Sequence, residues 1–264
     1  MIFIFLNIIA ILLRTPSQNR NWAEDTSRLS SAKYSENNNT FTMQNIRNWS
    51  YTDKKILKKE YLDKSYHIDK LESLWLYVQP IALGETIAHT FLVFEFKGNN
   101  RQEYLGISIE ARLEVGESYS AVSGLFRQLE LHYTWATEQD LVMRRVVNLG
   151  YLLKRYKIKA ETRDIQALLI KLIDTTNSLA SVPRWYNTLL SNCTNELLKS
   201  ANKVHKGTMP LHYSFFLTGY VDDYLDDLGY IDKSLPMLRI DNAWLETNML
   251  REIKQKVSFV TKTQ

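Results

Sequence analysis

The chain has 264 residues, a formal net charge of +4 and 45% hydrophobic residues. A chain of this size buries about 70 to 75% of its unfolded surface, so we expect one large domain with a full hydrophobic core. The short basic run of residues 54–59 lacks the interleaved aromatic residues of a nucleic-acid surface, so no nucleic-acid partner is expected. The single cysteine excludes an internal disulfide and a cysteine-rich zinc site.

The N-terminus is the apolar run MIFIFLNIIAILLR, in which Asn7 is the only polar residue before Arg14. Its length is typical of the apolar region of a signal peptide and is short for a membrane span. We expect residues 1–20 to export the chain or to anchor it on the outer face of the cytoplasmic membrane, where it contacts the membrane surface. An N-terminal strand is the alternative. Residues 21–43 are rich in polar residues and predict a flexible linker before the folded domain.

Apolar runs in the next part of the chain predict a β-sheet. The runs lie at residues 74–82, 88–96, 104–112, 129–137 and around 141–158. The stretch KGNNRQE joins the second and third runs, and its Gly98, Asn99 and Asn100 favour a hairpin turn. These two strands should therefore be antiparallel neighbours.

Helical periodicity follows the strands. Residues 161–180 carry an apolar stripe at helical spacing, and a second helix is predicted to begin after Pro183, with Cys193 in its first turn. Residues 207–250 predict short helical pieces, and residues 241–264 predict an amphipathic tail. The pattern predicts an α+β fold in which an antiparallel sheet packs against helices.

Cys193 is the first candidate for chemistry. At the start of a helix, free backbone N–H groups and the helix dipole favour the thiolate, so we expect an accessible thiol with a low pKa that acts as a nucleophile. Tyr186, Asn187 and Asn192 precede it, and we expect them to bind substrate or to support the site. The alternative is a buried cysteine that only fills space.

His89 is the best candidate for a base, because it lies at the start of an otherwise apolar strand. With a turn near Asn99, residues whose numbers sum to about 199 face each other, which places Glu110 opposite His89 and makes it the orienting carboxylate. A register shift of two residues would bring Arg112 there instead. The alternatives are a core histidine and a solvated glutamate at a strand end.

The remaining polar residues do not predict a metal site or a cofactor. His132 alternates with apolar residues in a predicted strand, and the other histidines lack a partner at ligand spacing. The acidic stretch GYVDDYLDDLGY lacks the alternating ligands and the glycine of a calcium loop. We therefore predict neither a bound metal nor a cofactor.

Several long segments resemble a known family. They are IRNWSY, LWLYVQPIALGETIAHTFLVFEF, YLGISIEARLEVGESYSAVSGLFRQLEL, WYNTLLSNCTNELL and YVDDYLDDLGYID. They resemble, in order and over residues 44–240, the bacterial Lnb N-terminal periplasmic domain family, also called DUF4105. The resemblance implies a permuted papain-like (NlpC/P60-like) thiol enzyme outside the cytoplasmic membrane, with the histidine strand before the cysteine helix.

The resemblance also implies an activity. Family members with a membrane-spanning C-terminal region resemble lipoprotein N-acyltransferases, whereas residues 241–264 here predict only a short basic tail. Our first hypothesis is an envelope acyltransferase or acyl hydrolase that forms an acyl-thioester on Cys193, with lipid or lipoprotein substrates. A cysteine peptidase or amidase, and a non-catalytic binding module, are the alternatives. An apolar groove beside Cys193 would favour lipid, and a polar cleft would favour peptide; the oligomeric state is not predicted.

Overall fold

The structure is a computed structural model, and it describes residues 14–99, 101–205 and 207–248. The strands are β1 (Ser31–Tyr34), β2 (Thr40–Arg47), β3 (Ser50–Thr52), β4 (Lys55–Lys58), β5 (Tyr61–His67), β6 (Leu71–Ala82), β7 (Ile87–Phe96), β8 (Glu103–Arg112), β9 (Glu130–Ala136), β10 (Leu153–Lys157) and β11 (Leu238–Ile240). The α-helices are α1 (Ala121–Leu125), α2 (Glu138–Met143), α3 (Thr162–Ser181), α4 (Cys193–Val204) and α5 (Val221–Asp227). A π-helical turn, Arg144–Asn148, continues α2.

A nine-stranded sheet organises the described part of the chain. Its order is β1-β2-β9-β8-β7-β6-β10-β11, and β5 also pairs with β2. The pairs are antiparallel except for the parallel contact between β2 and β9. Strands β3 and β4 form a separate hairpin. The fold is therefore α+β, as the sequence predicts.

The two faces of the sheet have separate cores, because successive side chains of a strand point to opposite faces. On β7, Leu92 and Phe94 belong to the larger hydrophobic cluster, which includes the apolar faces of α3 and α4. Phe91 and Val93 belong to a smaller cluster with residues of α2, β10 and β11. The central strands are thus buried on both faces, which explains their nearly continuous apolar runs.

The predictions for the central elements are confirmed. Strands β6 to β9 and helix α3 lie where the apolar patterns place them, with ends that differ by no more than three residues. The hairpin of β7 and β8 has the predicted register, since Phe91 pairs with Ser108 and Phe96 with Glu103. Helix α4 begins at Cys193 itself.

The flexible linker predicted at residues 21–43 is wrong. This range contains β1 and the first half of β2, whose Phe41 and Met43 are fully buried. The pairing of β2 with β5 shifts register between Met43 and Ile46, so the regular alternation that marks a strand is interrupted. Short edge strands with polar outward residues carry little sequence signal.

The strand predicted around residues 141–158 is also wrong for most of its length. Helix α2 and the π-helical turn occupy its first part, and only Leu153–Lys157 is a strand. Thr137 caps α2, because its side chain accepts a hydrogen bond from the N–H of Asp140. A short apolar run does not distinguish a buried helix from a buried strand.

The predicted terminal segments lie largely outside the described residues. Of residues 1–20, only 14–20 are described, and Arg20 Nε lies 2.8 Å from Glu130 Oε1 at the start of β9. Of the predicted tail, residues 242–248 are helical and the remainder lies outside the described ranges. Within those ranges, no helix combines the length and apolar character that a membrane span requires.

Candidate functional site

Asn192 fixes the start of the helix that carries the thiol. Its Oδ1 accepts a hydrogen bond of 2.8 Å from the N–H of Asn195, which caps α4. Its Nδ2 donates to the carbonyl oxygens of Thr188 at 2.9 Å and Phe215 at 3.1 Å. The predicted supporting residue Asn192 therefore holds Cys193 between two loops.

Strands β7 and β8 separate next to Cys193. Their paired ladder stops at Phe91 and Ser108, although β7 begins at Ile87 and β8 ends at Arg112. The opening leaves backbone groups for the helix, and the backbone of Thr90 hydrogen-bonds the Cys193 thiol. The hydroxyl groups of Thr90 and Thr194 lie 3.1 Å apart. The start of α4 is thereby inserted where the two strands diverge.

The environment of Cys193 favours the thiolate. Burial opposes ionisation, but the charge of His89 and hydrogen bonds from His89, Thr90 and Thr194 outweigh it and lower the pKa of the thiol from 9.0 to about 7. Cys193 is only 5% exposed, however, so the thiol is buried. The predicted accessible thiol is therefore wrong.

Ser108 connects His89 to Glu110. Nε2 of His89 lies 2.7 Å from Ser108 Oγ, which donates a hydrogen bond of 2.6 Å to Glu110 Oε1. The direct distance from Nε2 to Glu110 Oε1 is 3.5 Å. The structure thus brings together the three predicted residues Cys193, His89 and Glu110, with a hydroxyl group inserted between the last two. Because Nε2 is engaged there, Nδ1 is the ring nitrogen that remains for the thiol.

Arg145 completes the cluster from the π-helical turn. One guanidinium nitrogen lies 2.9 Å from each of His89 Nε2, Ser108 Oγ and Glu110 Oε1. Burial opposes ionisation of Glu110, but the charges of His89, Arg145 and Arg144 and the Ser108 hydrogen bond hold its pKa well below the usual range. Burial in turn lowers the pKa of Arg145 to about 10, against the charge of Glu110. The carboxylate is therefore ionised throughout the physiological pH range.

The cluster has hydrogen bonds for both protonation states of His89. With a proton on Nε2, the Nε2–H group donates to Ser108, whose hydroxyl donates to Glu110. This contact is the same whether the ring is neutral or carries a second proton on Nδ1. Nδ1 can therefore accept a proton from the thiol and return it, so this arrangement suits a general base.

A polar cavity of about 240 Å³ lies beside these groups. His89, Glu110 and Tyr186 are among its lining residues, whereas Cys193 is not. Asp25 and Arg144 also line it, and their side chains form a salt bridge of 2.5 Å. The predicted supporting residue Tyr186 is therefore at the site, and its ring contacts that of Tyr119 edge to face with centroids 6.2 Å apart.

Two further predicted residues have positions away from the reacting groups. Asn187 Oδ1 accepts hydrogen bonds from the N–H groups of Leu189 and Leu190, so it orders the loop before α4. The Arg112 guanidinium donates to the carbonyl oxygens of Thr26 and Ser27 and thereby holds the N-terminal segment against β8. The register of β7 and β8 is the predicted one, in which paired residue numbers sum to 199, but the paired ladder ends before His89 and Glu110. Glu110 rather than Arg112 is nevertheless the residue near His89, at 3.5 Å.

His132 is buried in β9 and pairs with Glu110 of β8. Its Nδ1 has no hydrogen-bond partner among the described residues. Burial, with a contribution from the charge of Arg112, lowers the pKa of His132 to about 3. Within the described ranges, no group of three or more histidine, cysteine or acidic side chains is arranged to hold a metal ion.

Ser108 and Arg145 are site residues that sequence reasoning missed. Ser108 lies two residues before Glu110 on the same face of β8, so the alternation of a strand could have identified it. Arg145 carries no such signal, because its position depends on a π-helical turn in a region that resembles a strand.

A family comparison covers the part of the chain that carries these residues. The Lnb N-terminal periplasmic domain model matches residues 58–219, more than half of the chain, and this range contains every residue of the thiol cluster. Its description indicates an exported protein. No curated protein and no solved structure matches the chain significantly. The permuted papain-like arrangement therefore stays a prediction.

Proposed function

Because the chain belongs to the Lnb N-terminal periplasmic domain family, we propose that it is an envelope thiol enzyme that forms an acyl-thioester on Cys193. The observation that carries this proposal is the thiol at the start of α4, whose pKa is lowered to about 7 by His89. A cysteine that only fills space requires no imidazole partner. Here His89 contacts the thiol, and Ser108, Glu110 and Arg145 hold its other ring nitrogen, which favours a reactive cysteine.

The reaction follows from these roles. The Cys193 thiolate attacks the carbonyl carbon of an ester, the C–S bond forms, and the carbonyl electron pair moves to oxygen. Backbone N–H groups in the first turn of α4 stabilise that oxyanion. The C–O bond then breaks, and the leaving alkoxide takes the proton from His89. Water or an amine attacks the thioester, gives its proton to His89, and releases Cys193 as the C–S bond breaks.

An apolar rim on the segments that adjoin the start of α4 supports lipid as the substrate. We define this rim by the exposed side chains Tyr119, Val122, Phe126, Leu189, Leu190, Tyr213, Phe216 and Leu217, which are 39% to 63% exposed. They lie in residues 119–126, 189–190 and 213–217, and hydrogen bonds join these three segments at the start of α4. Thr188 Oγ1 donates to the carbonyl of Ala121 at 2.7 Å, and Asn192 bonds the carbonyls of Thr188 and Phe215.

The rim also supports a position at the membrane. Clustered exposed apolar side chains mark surfaces that bind apolar partners. The described residues start at Arg14, directly after the apolar N-terminal run. The Ser17 N–H donates to the Glu130 side chain, and Glu130 forms a β-bridge with Trp185. Trp185 shortly precedes the rim residues Leu189 and Leu190. The apolar rim, together with the apolar N-terminal run of the sequence, favours a protein held at the outer face of the cytoplasmic membrane.

A peptidase or amidase is the second candidate. The polar cavity beside His89 favours it, because Glu110, Arg144 and Asp25 provide charged groups that hydrogen-bond a peptide. A third candidate, a binding module without catalysis, is favoured by the low exposure of the thiol. The three candidate functions share the fold. The two enzymes differ in the substrate that Cys193 attacks, and the binding module has no reaction at Cys193.

The test compares lipid with peptide. Wild type, Cys193→Ala, His89→Ala and the control His67→Ala are incubated with phosphatidylethanolamine and phosphatidylglycerol vesicles, or with a mixed peptide library. His67 is an exposed histidine at the end of β5 that bonds Thr40. We expect fatty acid or transferred acyl product with the wild type and His67→Ala, and none with the other two. Cleavage of peptides alone, dependent on Cys193, would replace this proposal with the second candidate.

A further inference from the structure

A surface hairpin carries a basic and apolar sequence that the proposed function does not use. We call residues 50–59, which contain β3 and β4, the lysine hairpin. Residues 53–59 have the sequence DKKILKK, with four lysines and one aspartate. All four residues of β4 are exposed, and its two aliphatic side chains, Ile56 and Leu57, are 42% and 63% exposed. The lysine hairpin shares no residue with the apolar rim, and most of it precedes residue 58, where the family match begins.

The other strand of the lysine hairpin fixes it to the protein. Tyr51 of β3 is buried, and its hydroxyl group donates a hydrogen bond of 3.3 Å to Oδ1 of the fully buried Asp140. The N–H of Trp49, directly before β3, donates to Asp140 Oδ2 at 2.7 Å. Asn148 Nδ2 donates to the carbonyl oxygen of Thr52 at 3.5 Å. Strand β3 therefore attaches the hairpin to α2 and the π-helical turn, and β4 is the strand exposed to solvent.

A β-bulge affects the direction of the aliphatic side chains. Lys58 pairs with Ser50 and Ile56 pairs with Tyr51, so Leu57 has no partner in β3. An extra residue of this kind bends the strand and re-aims its side chain. Lysines on an exposed edge strand prevent pairing with other chains. That role gives no reason to expose two aliphatic side chains between the lysines.

The lysines differ in their partners. Lys58 forms an ion pair of 2.6 Å with Glu60, and Lys59 forms one with Glu24. Among the described residues, the lysines of residues 54–55, beside the turn, form no ion pair. Two exposed cations therefore lie directly before the exposed aliphatic pair without an acidic partner of their own.

A bilayer with anionic headgroups fits both features of the lysine hairpin. Lysines beside exposed apolar side chains bind anionic lipid surfaces, where apolar groups enter the interface and the charges attract the headgroups. The stems of the lysines are apolar, so they lie at the interface while their ammonium groups reach the phosphates. An acidic protein matches the charge, but it needs a pocket for two aliphatic side chains as well. A bilayer offers both chemistries over its whole surface.

We propose that the lysine hairpin binds a bilayer that contains phosphatidylglycerol, with Ile56 and Leu57 inserted in the interface and the lysines of residues 54–55 among the phosphate groups. The apolar N-terminal run favours a position at a membrane, where such a surface is available. The hairpin adds a contact that depends on lipid charge, which neither that run nor the apolar rim provides. Binding requires no reaction at Cys193, so this inference stands independently of the proposed function.

A fluorescent probe at Leu57 reports insertion of the hairpin alone, whatever else holds the chain at the membrane. The full chain with Cys193→Ala and Leu57→Cys, labelled with the fluorophore NBD, is mixed with vesicles of phosphatidylcholine with or without phosphatidylglycerol. With phosphatidylglycerol we expect a blue shift and quenching by doxyl-labelled lipid. Both should disappear at about 1 M salt, where the Debye length is about 3 Å. A probe at Leu235, an exposed leucine outside the hairpin, is the control and should show neither.

The same labelled protein with Lys54→Gln and Lys55→Gln tests the charges. Each lysine near an anionic surface contributes about fivefold, so the ratio of inserted to free probe should fall about 25-fold. Lys33→Gln with Lys159→Gln removes the same charge at exposed positions of β1 and after β10, and should leave the ratio unchanged.

Three results would overturn the proposal. The first is a Leu57 probe that inserts equally without phosphatidylglycerol or does not insert at all. The second is an equal loss in the two lysine pairs, which would show a response to total charge rather than to the hairpin. The third is a probe that responds to soluble polyglutamate and not to vesicles, which would assign the lysine hairpin to an acidic protein.

Discussion

Ser108 stands between His89 and Glu110. Its Oγ lies 2.7 Å from Nε2 of His89 and 2.6 Å from Oε1 of Glu110, whereas the carboxylate oxygen is 3.5 Å from the ring nitrogen. The carboxylate therefore acts on the imidazole through a hydroxyl group. Orientation of the ring depends on both residues, and the serine provides the closer contact.

Ser108→Ala should lower kcat by about 10²-fold or more, because a base that is no longer oriented loses much of the usual 10²–10⁴-fold contribution. Glu110→Gln should lower it similarly, since the neutral amide no longer stabilises the charged ring. The double variant should lose little more than either single variant, because the two residues act as one unit. Rates with a Cys193-dependent ester measure this, and Ser65→Ala, an exposed serine of β5, is the control. Additive losses in the double variant would show that Ser108 and Glu110 act separately.

Arg145→Met should reduce the stability of the fold. The change removes the cation 2.9 Å from Glu110 and leaves that carboxylate without compensation. Breaking a fully buried pair costs about 3–5 kcal/mol, and because the Glu110 side chain is 20% exposed we expect a smaller loss, about 2 kcal/mol. Urea unfolding measures the free energy. Arg145→Met combined with Glu110→Gln should recover part of the loss, and a double variant less stable than Arg145→Met would contradict a direct pairing.

The central hairpin was predictable because several signals agree. The sequence of β7 and β8 contains long apolar runs and a turn with Gly98 and Asn99. The turn predicts a register in which paired residue numbers sum to about 199, and the pairs from Phe91 to Phe96 have that register. The start of α4 was predictable for the same reason, since Asn192 is a favoured N-cap residue before an amphipathic helix. These elements contain the three residues that we predicted at the site.

The rest of the site depends on contacts between distant segments. Arg145 reaches His89 from 56 residues away, through a π-helical turn that no periodic pattern indicates. Asp25 reaches the polar cavity from a segment that we predicted to be a linker, and it is held there by Arg144. The burial of Cys193 also results from tertiary packing, so its position in the chain could not show it.

Alkylation of Cys193 should depend on pH in the manner of a thiolate stabilised by His89. The rate of labelling by iodoacetamide should have a midpoint near pH 7, the pKa of the thiol in the fold. In His89→Ala the midpoint should move to the ordinary thiol value of about 8.5 or higher, because burial, the largest influence, is then opposed only by the hydrogen bonds of Thr90 and Thr194. His67→Ala is the control. A wild-type midpoint of 8.5 or above would remove the basis for a catalytic thiolate.

His132 should make stability fall in mild acid. Its pKa is lowered to about 3 by burial, so the folded protein keeps the ring neutral while the unfolded chain takes up a proton below its ordinary pKa of 6.5. Stability is therefore lost as pH falls from 6.5 toward 3, by about 2 kcal/mol at pH 5. The free energy of unfolding, measured with urea at pH 7 and at pH 5, should fall less in His132→Gln than in the wild type, by about 2 kcal/mol. His67→Gln should retain the wild-type difference, and an unchanged difference in His132→Gln would contradict the assignment.

Formation of an acyl-thioester on Cys193 is the central claim, and intact-protein mass spectrometry after an acid quench tests it most directly. The wild type, incubated with phospholipid vesicles, should gain the mass of one acyl group, and neutral hydroxylamine should remove it. Cys193→Ala should gain none, His89→Ala should gain much less, and His67→Ala should match the wild type. An unmodified wild-type protein, together with peptide cleavage that requires Cys193, would contradict the acyl-thioester account.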